Sequence, residues 1–431
     1  MKNYIILLLC FTFNTTNIFG QQFDITADYR VRYEMRNGYA TLKPDTVNPA
    51  NFITQRARIT FDYSTKNIKL RFSPQNVKVW GDIATTSKND LYNSFHEASG
   101  EILFNKYYSL KVGRQELDYD DARVLGNVDW AMQARSHDAL LLKIKPDSNN
   151  TIHAGFALNA NKETNFQENY IVGQYKALQF LWYHNNIKNW RVSILLLNNG
   201  MPYIVNSKEK IAYSQTVGGS ISYKKNKFRT EISAYLQKGK LGLNIVNASN
   251  FSLKTNYKIT DNLITEFGVE YLSGKATNDN SPDIKSFNPL YGTNHKFNGY
   301  MDYFFVGNHL YTVGLTDIYL NAIFEKNKFS ATLTPHYFAG AANLYNGNVK
   351  MDKYLGTEAD FTLGYKLNEN IKIDVGYSQI FATESMEVLK GGNKSNANNW
   401  FYLMLKINPK VFSYRTETIL KNDTPTNFNR N

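Results

Sequence analysis

The segment from Phe23 to Met35 alternates between apolar and polar residues at every position. Its odd positions are all aliphatic or aromatic, and its even positions are Asp, Thr, Asp, Arg, Arg and Glu. A period of two places successive side chains on opposite faces of an extended chain, so the pattern predicts a β-strand with one apolar and one polar face. Similar segments continue to the end of the chain: Asn51–Tyr63, Phe228–Gln237, Phe251–Ile259, Thr357–Leu367, Ile371–Phe381 and finally Asn399–Phe412.

Two kinds of connection separate these segments. Short polar turns occur, for example, at residues 65–67, 225–226, 327–328 and 368–370. Longer stretches lie between them, and we expect loops at 36–50, 81–90, 119–133, 200–213, 274–313, 340–356 and 383–398. Short turns at one end and long loops at the other are typical of outer-membrane barrels. The pattern therefore predicts an all-β fold, a transmembrane antiparallel β-barrel of about 18 strands with short periplasmic turns and long extracellular loops.

The N-terminus predicts export. Lys2 precedes an apolar run from Tyr4 to Phe13, and a polar stretch then ends at Gly20. This arrangement is typical of a signal peptide, and the run is too short to cross a bilayer as a helix. Cys10, the only cysteine, lies inside it, so we expect an exported chain without disulfides. We divide the chain into a signal peptide (1–20), the barrel (21–412) and a polar C-terminal tail (413–431), and expect it in the outer membrane of a Gram-negative bacterium.

Composition agrees with a barrel. Aromatic residues make up 14% of the chain, with 30 Tyr and 27 Phe, and such residues are enriched in strands and at the membrane interfaces of barrels. The mean hydropathy of −0.44 would suit a soluble protein, but period-two alternation hides an apolar face from a window average. A soluble β-sandwich would need a second layer over that face, and the sequence shows no helical segments to supply one.

The net charge of +12 changes the picture once the strand faces are assigned. A cation facing lipid near the bilayer centre costs about 2–4 kcal/mol, so basic residues opposite the apolar face should line the lumen. An arginine-lined lumen favours anions, because the guanidinium stays charged and pairs with carboxylates. The alternative is a structural network in which these cations pair with Asp and Glu across the lumen, and both readings can hold together. The predicted lumen and selectivity residues are Arg30, Arg32, Arg56, Arg58, Lys69, Arg71, Arg114, Arg123, Arg135 and Arg191.

The most charged segment is residues 113–139, GRQELDYDDARVLGNVDWAMQARSHDA. In the strand that enters it, Leu110 and Val112 share one face, and Lys111 and Gly113 share the other. We expect its arginines to pair with the acidic residues Glu116, Asp118, Asp120, Asp121 and Asp138.

Three chemical readings of this segment are weaker. A calcium loop beginning at Asp118 would have Ala122 at its fifth position and no glycine at its sixth. Glycoside hydrolysis by Glu116 and Asp121 would need a substrate cleft, and Ser-His neighbours such as Ser136 and His137 are common by chance. We therefore predict no enzyme activity, no metal site and no cofactor.

The same segment resembles the signature of the alginate export family. Four other stretches, ADYRVRYEMRNGY, FITQRARITFDY, NVKVWGD and WFYLMLKINPKVF, also resemble that family. The resemblance implies an 18-stranded outer-membrane barrel that passes an anionic polysaccharide through an arginine-rich constriction. It implies motif positions at Arg114, Asp120, Asp121, Arg123 and Arg135, and lumen positions at Arg30, Arg32, Arg56 and Arg58.

The predicted function is therefore an outer-membrane channel for alginate-like polysaccharide or other anionic solutes. The alternatives are a barrel-borne hydrolase or lipid enzyme that uses the carboxylates of residues 113–139, a general porin for small solutes, and a surface-binding protein. Membrane lipid, the anionic solute and periplasmic export components are the expected partners. Nucleic acid is not, because the basic residues alternate with apolar ones instead of forming a patch.

Overall fold

A computed structural model describes residues 20–169 and 173–416. Within them, 18 antiparallel strands close into a barrel, as predicted. The predicted signal peptide, apart from Gly20, lies outside the described residues, as do Cys10 and residues 417–431 of the predicted tail. Among the described residues, no helix combines the length and apolar character needed to cross a bilayer.

The strands follow one another around the barrel in chain order, and β1 closes it by pairing with both β2 and the last strand. The strands are β1 Gln22–Asn37, β2 Ala50–Ser64, β3 Ile68–Val79, β4 Asn93–Leu103, β5 Tyr108–Gln115, β6 His137–Ile144, β7 Asn150–Leu158, β8 Ala177–Ile187, β9 Trp190–Val205, β10 Lys208–Lys225, β11 Phe228–Leu241, β12 Asn244–Lys258, β13 Leu263–Leu272, β14 Leu315–Lys326, β15 Phe329–Ala339, β18 Tyr354–Lys366, β19 Ile371–Ala382, β20 Asn398–Ile407 and β21 Lys410–Arg415. A small hairpin, β16 Tyr345–Asn346 and β17 Val349–Lys350, lies in the loop before β18.

β20 and β21 are two parts of one barrel strand, because both pair with β1. Asn408 and Pro409 interrupt it, and proline has no amide hydrogen to donate to the ladder. The carbonyl of Pro409 still accepts a hydrogen bond from the amide of Ala27 at 3.0 Å. The strand ends at Arg415, so pairing extends past Phe412, the predicted end of the barrel.

The outer face of the wall is apolar, as the alternation predicted. Side chains such as Phe72, Ile194, Ile221, Leu236 and Phe251 are all more than 40% exposed on this face. In an outer-membrane barrel this apolar band is covered by lipid. The predicted outer-membrane location is thus confirmed by the fold.

The predicted loop at 200–213 is wrong. β9 and β10 continue through this range and meet at Asn206 and Ser207, which have positive φ angles of 51° and 61°. Two left-handed residues make a tight hairpin turn that keeps the strands paired. β11 and β12 are also joined by only two residues, Gly242 and Leu243, so the outer connections of β9–β12 are short.

Two long connections fold into the barrel instead of standing above it. They are the β5–β6 loop (residues 116–136) and the β13–β14 loop (residues 273–314). The second contains a short 3-10 turn, Asn294–Lys296, and one helical turn, α1 Val306–His309. A second α-helix, α2 Glu384–Lys390, lies in the β19–β20 loop. Buried apolar side chains from both long loops, including Leu117, Leu125, Met301 and Tyr303, pack with the inner wall and form the core.

Candidate functional site: a lumen crossed by two loops

The β5–β6 loop is fixed to the basic part of the wall through Asp129. Its carboxylate lies 3.0 Å from Arg30 on β1 and 2.9 Å from Arg56 on β2. Arg56 is fully buried and also donates to the carbonyl oxygen of Met132 at 3.3 Å. Burial opposes ionisation of Asp129, but the two guanidinium groups outweigh it and hold the pKa of this carboxyl below its usual value.

Arg32 holds the next residue of the loop. Its guanidinium pairs with Glu34 at 2.8 Å, donates to the carbonyl oxygen of Trp130 at 2.8 Å, and lies 4.0 Å from the centre of the Trp130 ring. The other side of this indole stacks on His295 of the β13–β14 loop, with ring centres 4.4 Å apart. Trp130 therefore joins the basic wall to the second loop.

The two loops pair with each other across the lumen. Gly126 donates to the carbonyl oxygen of Tyr291 at 2.9 Å, and Tyr291 donates back to Val124 at 3.0 Å. Arg135 adds a bond to the carbonyl oxygen of Gly292 at 3.1 Å. We call residues 123–126 and 290–293 the loop junction.

Arg123 fixes the loop junction to the opposite wall. Its guanidinium is 2% exposed, lies 2.8 Å from the Glu270 carboxylate on β13, and donates to Asn298 at 2.9 Å. The amide of Asn298 in turn donates to Glu270 at 2.9 Å and to Asp317 on β14 at 3.2 Å. One arginine of the first loop thus holds both the wall and the second loop.

Backbone amides hold the β13–β14 loop to acidic residues of β18. Met301 donates to Glu358 at 2.9 Å, and Tyr300 donates to Asp360 at 3.1 Å. Gly299 precedes them with φ of 83°, and a Cβ atom there would lie 2.6 Å from a Glu358 carboxylate oxygen. The first loop is therefore held mainly by wall cations, and the second mainly by wall carboxylates.

An open vestibule of about 900 Å³ lies along β8–β13. Seven cationic side chains line it (Arg191, Lys224, Lys227, Arg229, Lys254, Lys258 and Lys296), together with four carboxylates (Asp120, Asp121, Glu231 and Glu266). The excess of cations should concentrate anions in this part of the lumen.

Some of these cations are neutralised by carboxylates. Lys254 lies 2.9 Å from Asp121 and 3.2 Å from Glu231, and Arg229 lies 3.0 Å from Glu231. Among the described residues, no carboxylate lies within 4.0 Å of the cationic groups of the other vestibule cations apart from Lys258, which are Arg191, Lys224, Lys227 and Lys296. These four cations are therefore the ones best able to pair with a passing anion.

The acidic motif residues at the vestibule have opposite environments. Burial raises the pKa of Asp120, whose carboxylate accepts a hydrogen bond from the Trp182 indole at 3.2 Å. Burial also disfavours ionisation of Asp121, but Lys254 outweighs it and lowers the pKa of this carboxyl. The Trp182 ring stacks on His184 with centres 5.3 Å apart, which adds an aromatic surface to the vestibule.

Of the other predicted lumen cations, Arg58 donates twice to Gln75, at 3.0 and 2.7 Å. Arg71 pairs with Asp62 at 2.7 Å and with Glu97 at 3.0 Å. Lys69 and Arg71 line a smaller cavity of about 290 Å³ against β2–β5. A role in ion selectivity for Arg58, Lys69 and Arg71 stays a prediction.

The expected lumen position of Arg114 is wrong. Its side chain shares the outer face of the wall with Val112 and pairs at 3.2 Å with Asp138, the neighbour of the outward-facing Leu140. Strand alternation explains this placement, because Arg114 follows Leu110 and Val112 at intervals of two.

Glu116 and Asp121 do not share a cleft. Glu116 contacts His96 on β4 at 2.7 Å, whereas Asp121 contacts Lys254 on β12. Burial raises the pKa of Asp118, and the nearby charge of Glu116 raises it further. The carboxylates of the motif are thus spread over different walls, which does not favour the proposed glycosidase pair.

His96, Glu97 and Glu116 are, among the described residues, the one group whose ligand atoms lie within 4.8 Å of one another as a metal site would require. Arg71 and Lys111, however, already pair with Glu97 at 3.0 and 3.7 Å. Two cations beside the carboxylate oppose binding of a further cation, so we interpret the group as part of the loop anchor.

Sequence reasoning missed the partners of the predicted arginines. Asp129, Trp130, Glu270, Glu358 and Asp360 make the contacts that hold the loops, and none was singled out. Alternation along the strands is enough to place the wall carboxylates Glu270, Glu358 and Asp360 on the lumen side. Nothing in the neighbouring sequence indicates which loop residues these carboxylates contact.

Comparison with known proteins supports the barrel and not the alginate export family. No protein-family model and no curated protein matches the chain. Among solved structures, Acinetobacter baumannii OccAB4 has a TM-score of 0.63 at 12% identity, over 92% of this chain and 99% of that one. Pseudomonas aeruginosa OccK2 (OpdF), in complex with glucuronate, has a TM-score of 0.61 at 11% identity, over 90% and 98%. Pseudomonas aeruginosa OpdK with vanillate has 0.58 at 9% identity, over 91% and 99%. These neighbours are outer-membrane porins, not enzymes, and at this identity they show a shared fold.

Proposed function

We propose that this protein is an outer-membrane channel for small solutes that carry a carboxylate. The observation that carries the proposal is the vestibule, which is lined by four cations without a carboxylate partner in the described parts of the chain: Arg191, Lys224, Lys227 and Lys296. A guanidinium and three ammonium groups in a partly enclosed space bind carboxylates more strongly than exposed ones would.

Two structural neighbours support this class of solute. Their structures contain glucuronate and vanillate, which are both small carboxylates. The stacked Trp182 and His184 rings beside the cations add a surface on which the face of a sugar or aromatic ring can pack.

The sequence also led us to predict the passage of an anionic polysaccharide such as alginate. A uronate polymer carries the same carboxylates and would meet the same cations. The loop junction crosses the lumen, however, and Arg123 ties it to the wall. We therefore favour small solutes over a polymer.

A general porin is the second candidate. It is favoured by the pairing of Arg30, Arg32, Arg56, Arg71 and Arg123 with carboxylates, which neutralises much of the basic lumen. In this case the remaining cations would be too few to discriminate between solutes.

Swelling of proteoliposomes in iso-osmotic solutions separates the two candidates. Glucuronate and glucose have nearly the same size, so a carboxylate channel should admit glucuronate several times faster, whereas a general porin should admit both at similar rates. Liposomes without protein provide the baseline. Equal rates, or faster entry of glucose, would refute the carboxylate preference.

A further inference from the structure

The outer face of β8–β12 carries an unbroken row of polar side chains. Gln179 pairs across the strands with Asn198, Asn198 with Gln215, Gln215 with Lys238, and Lys238 with Asn247. Asn198 donates to Gln179 at 2.7 Å, Gln215 donates to Asn198 at 2.8 Å, and Lys238 donates to Asn247. We call these five residues the polar row.

The polar row interrupts the apolar outer face of β8–β12. On the turn side of it, Leu181, Leu196, Val217 and Leu236 are each more than 40% exposed on the outer face. On the loop side the face is mixed, because Lys240 on β11 lies there beside the exposed side chains of Ile245 and Tyr213. The row thus separates a continuous apolar surface from a mixed one, as at an edge of the band that lipid covers.

Distance along the strands identifies which edge it is. Trp190 and Tyr223, with ring centres 4.7 Å apart, lie at the short-turn end of β9 and β10. Lys238 lies at the opposite end of β11 from Phe228, and a spanning strand needs about 9–11 residues. Near the row, the amide of Asn247 bonds at 2.8 Å to Ile284 of the β13–β14 loop. The polar row is thus at the long-loop boundary, which faces the outside of the cell.

The lysines here differ from the outward-facing cation of β5. Arg114 on that strand is neutralised by Asp138 at 3.2 Å. No carboxylate among the described residues lies within 4.0 Å of the Lys238 or Lys240 ammonium groups, and the neighbours of Lys238 in the row are amides. Two uncompensated cations beside a chain of amides fit a ligand that has both phosphate and hydroxyl groups.

We propose that the polar row, together with Lys240, binds the headgroup of a phosphorylated glycolipid of the outer leaflet. Lys238 and Lys240 contact its phosphates, and Asn198 and Gln215 exchange hydrogen bonds with its sugar hydroxyls. The apolar side chains on the turn side of the row contact its acyl chains. This surface is separate from the lumen, so the proposal holds or fails independently of the transported solute.

Native mass spectrometry of the detergent-solubilised barrel tests this with bisphosphorylated lipid A, dephosphorylated lipid A and phosphatidylglycerol. Each basic residue near a membrane surface contributes about a fivefold effect on binding of an anionic lipid, so Lys238→Gln with Lys240→Gln should weaken binding of bisphosphorylated lipid A about thirtyfold. The matched control is Lys225→Gln with Lys326→Gln, which removes two exposed lysines at the short-turn end and should leave binding unchanged.

Three outcomes would overturn the proposal. Unmodified protein could bind phosphorylated and dephosphorylated lipid A equally, which would exclude a phosphate site. Phosphatidylglycerol could bind as tightly as lipid A, which would reduce the site to general charge attraction. The protein could instead be dimeric and become monomeric in the Lys238/Lys240 variant, which would show that a second copy covers this face.

Discussion

Replacing Arg123 with methionine should open the loop junction and leave the barrel wall intact. The guanidinium is 2% exposed and its partner Glu270 is 5% exposed, so the substitution leaves a buried carboxylate without its cation. Breaking a buried ion pair by removing one partner costs about 3–5 kcal/mol. The change also removes the bond to Asn298 and the contact with the Phe297 ring, whose centre lies 4.4 Å from the guanidinium carbon.

A loss of this size shifts the equilibrium between closed and open loops by about two to three and a half orders of magnitude. The wall should remain folded, because its strand pairing does not involve Arg123. Single-channel recording in planar bilayers should therefore show a larger and noisier conductance for Arg123→Met, while thermal unfolding of the barrel stays close to that of the unmodified protein.

Arg114→Met is the matched control, because it removes an arginine from an ion pair on the outer face. The partners there are 42% and 64% exposed, and such pairs contribute at most about 1 kcal/mol. Conductance should not change. Adding Glu270→Gln to Arg123→Met removes the unpaired charge. The double variant should therefore show a smaller and less noisy conductance than Arg123→Met alone. If Arg123→Met and Arg114→Met gave the same traces as unmodified protein, Arg123 would not hold the loop junction.

Three further predictions concern other parts of the molecule. Arg191→Gln with Lys224→Gln should reduce glucuronate entry into proteoliposomes without slowing glucose, and an equal loss for both solutes would point to a damaged pore instead. Gly299→Ala should detach the β13–β14 loop, because the new Cβ would lie 2.6 Å from Glu358; faster hydrogen exchange at the Met301 amide would show it, and unchanged exchange would contradict it. Burial lowers the pKa of Lys390 from 10.5 to about 7, so between these values the unfolded α2 segment binds a proton that the folded segment does not. Packing of α2 should therefore become more stable as pH rises from about 7 towards 10.5. The protection factors of the α2 amides, which compare exchange with the intrinsic rate at each pH, should rise accordingly, and Lys390→Met should remove this dependence.

The strands and the two faces of the wall could be predicted from the sequence because period-two alternation is a local property. Arg114 shows how firmly it holds. Counting from Leu110 and Val112 already placed this arginine on the outer face, and its membership in a charged motif led to the wrong assignment. Asn206 and Ser207 are the opposite case, since two residues without glycine gave little sign of a tight turn.

The lumen could not be predicted in the same way. Arg30 contacts a residue 99 positions away in the chain, and Arg123 contacts one 175 positions away. Such contacts depend on how the two long loops fold inward, and no periodic pattern encodes that path. The expected pairing of the motif's arginines with its carboxylates occurs between Arg114 and Asp138, whereas Arg123 and Asp121 form their ion pairs with the wall residues Glu270 and Lys254.

The ion selectivity of the unmodified channel tests the central claim most directly. Purified protein is inserted in a planar bilayer between two concentrations of potassium chloride, and the reversal potential is measured. The unpaired cations of the vestibule predict a reversal potential with the sign that corresponds to preferential permeation of chloride. This potential should shift towards zero when the salt concentration is raised and screening increases. A reversal potential of zero at low salt, or one with the sign of preferential potassium permeation, would contradict a lumen that selects anions.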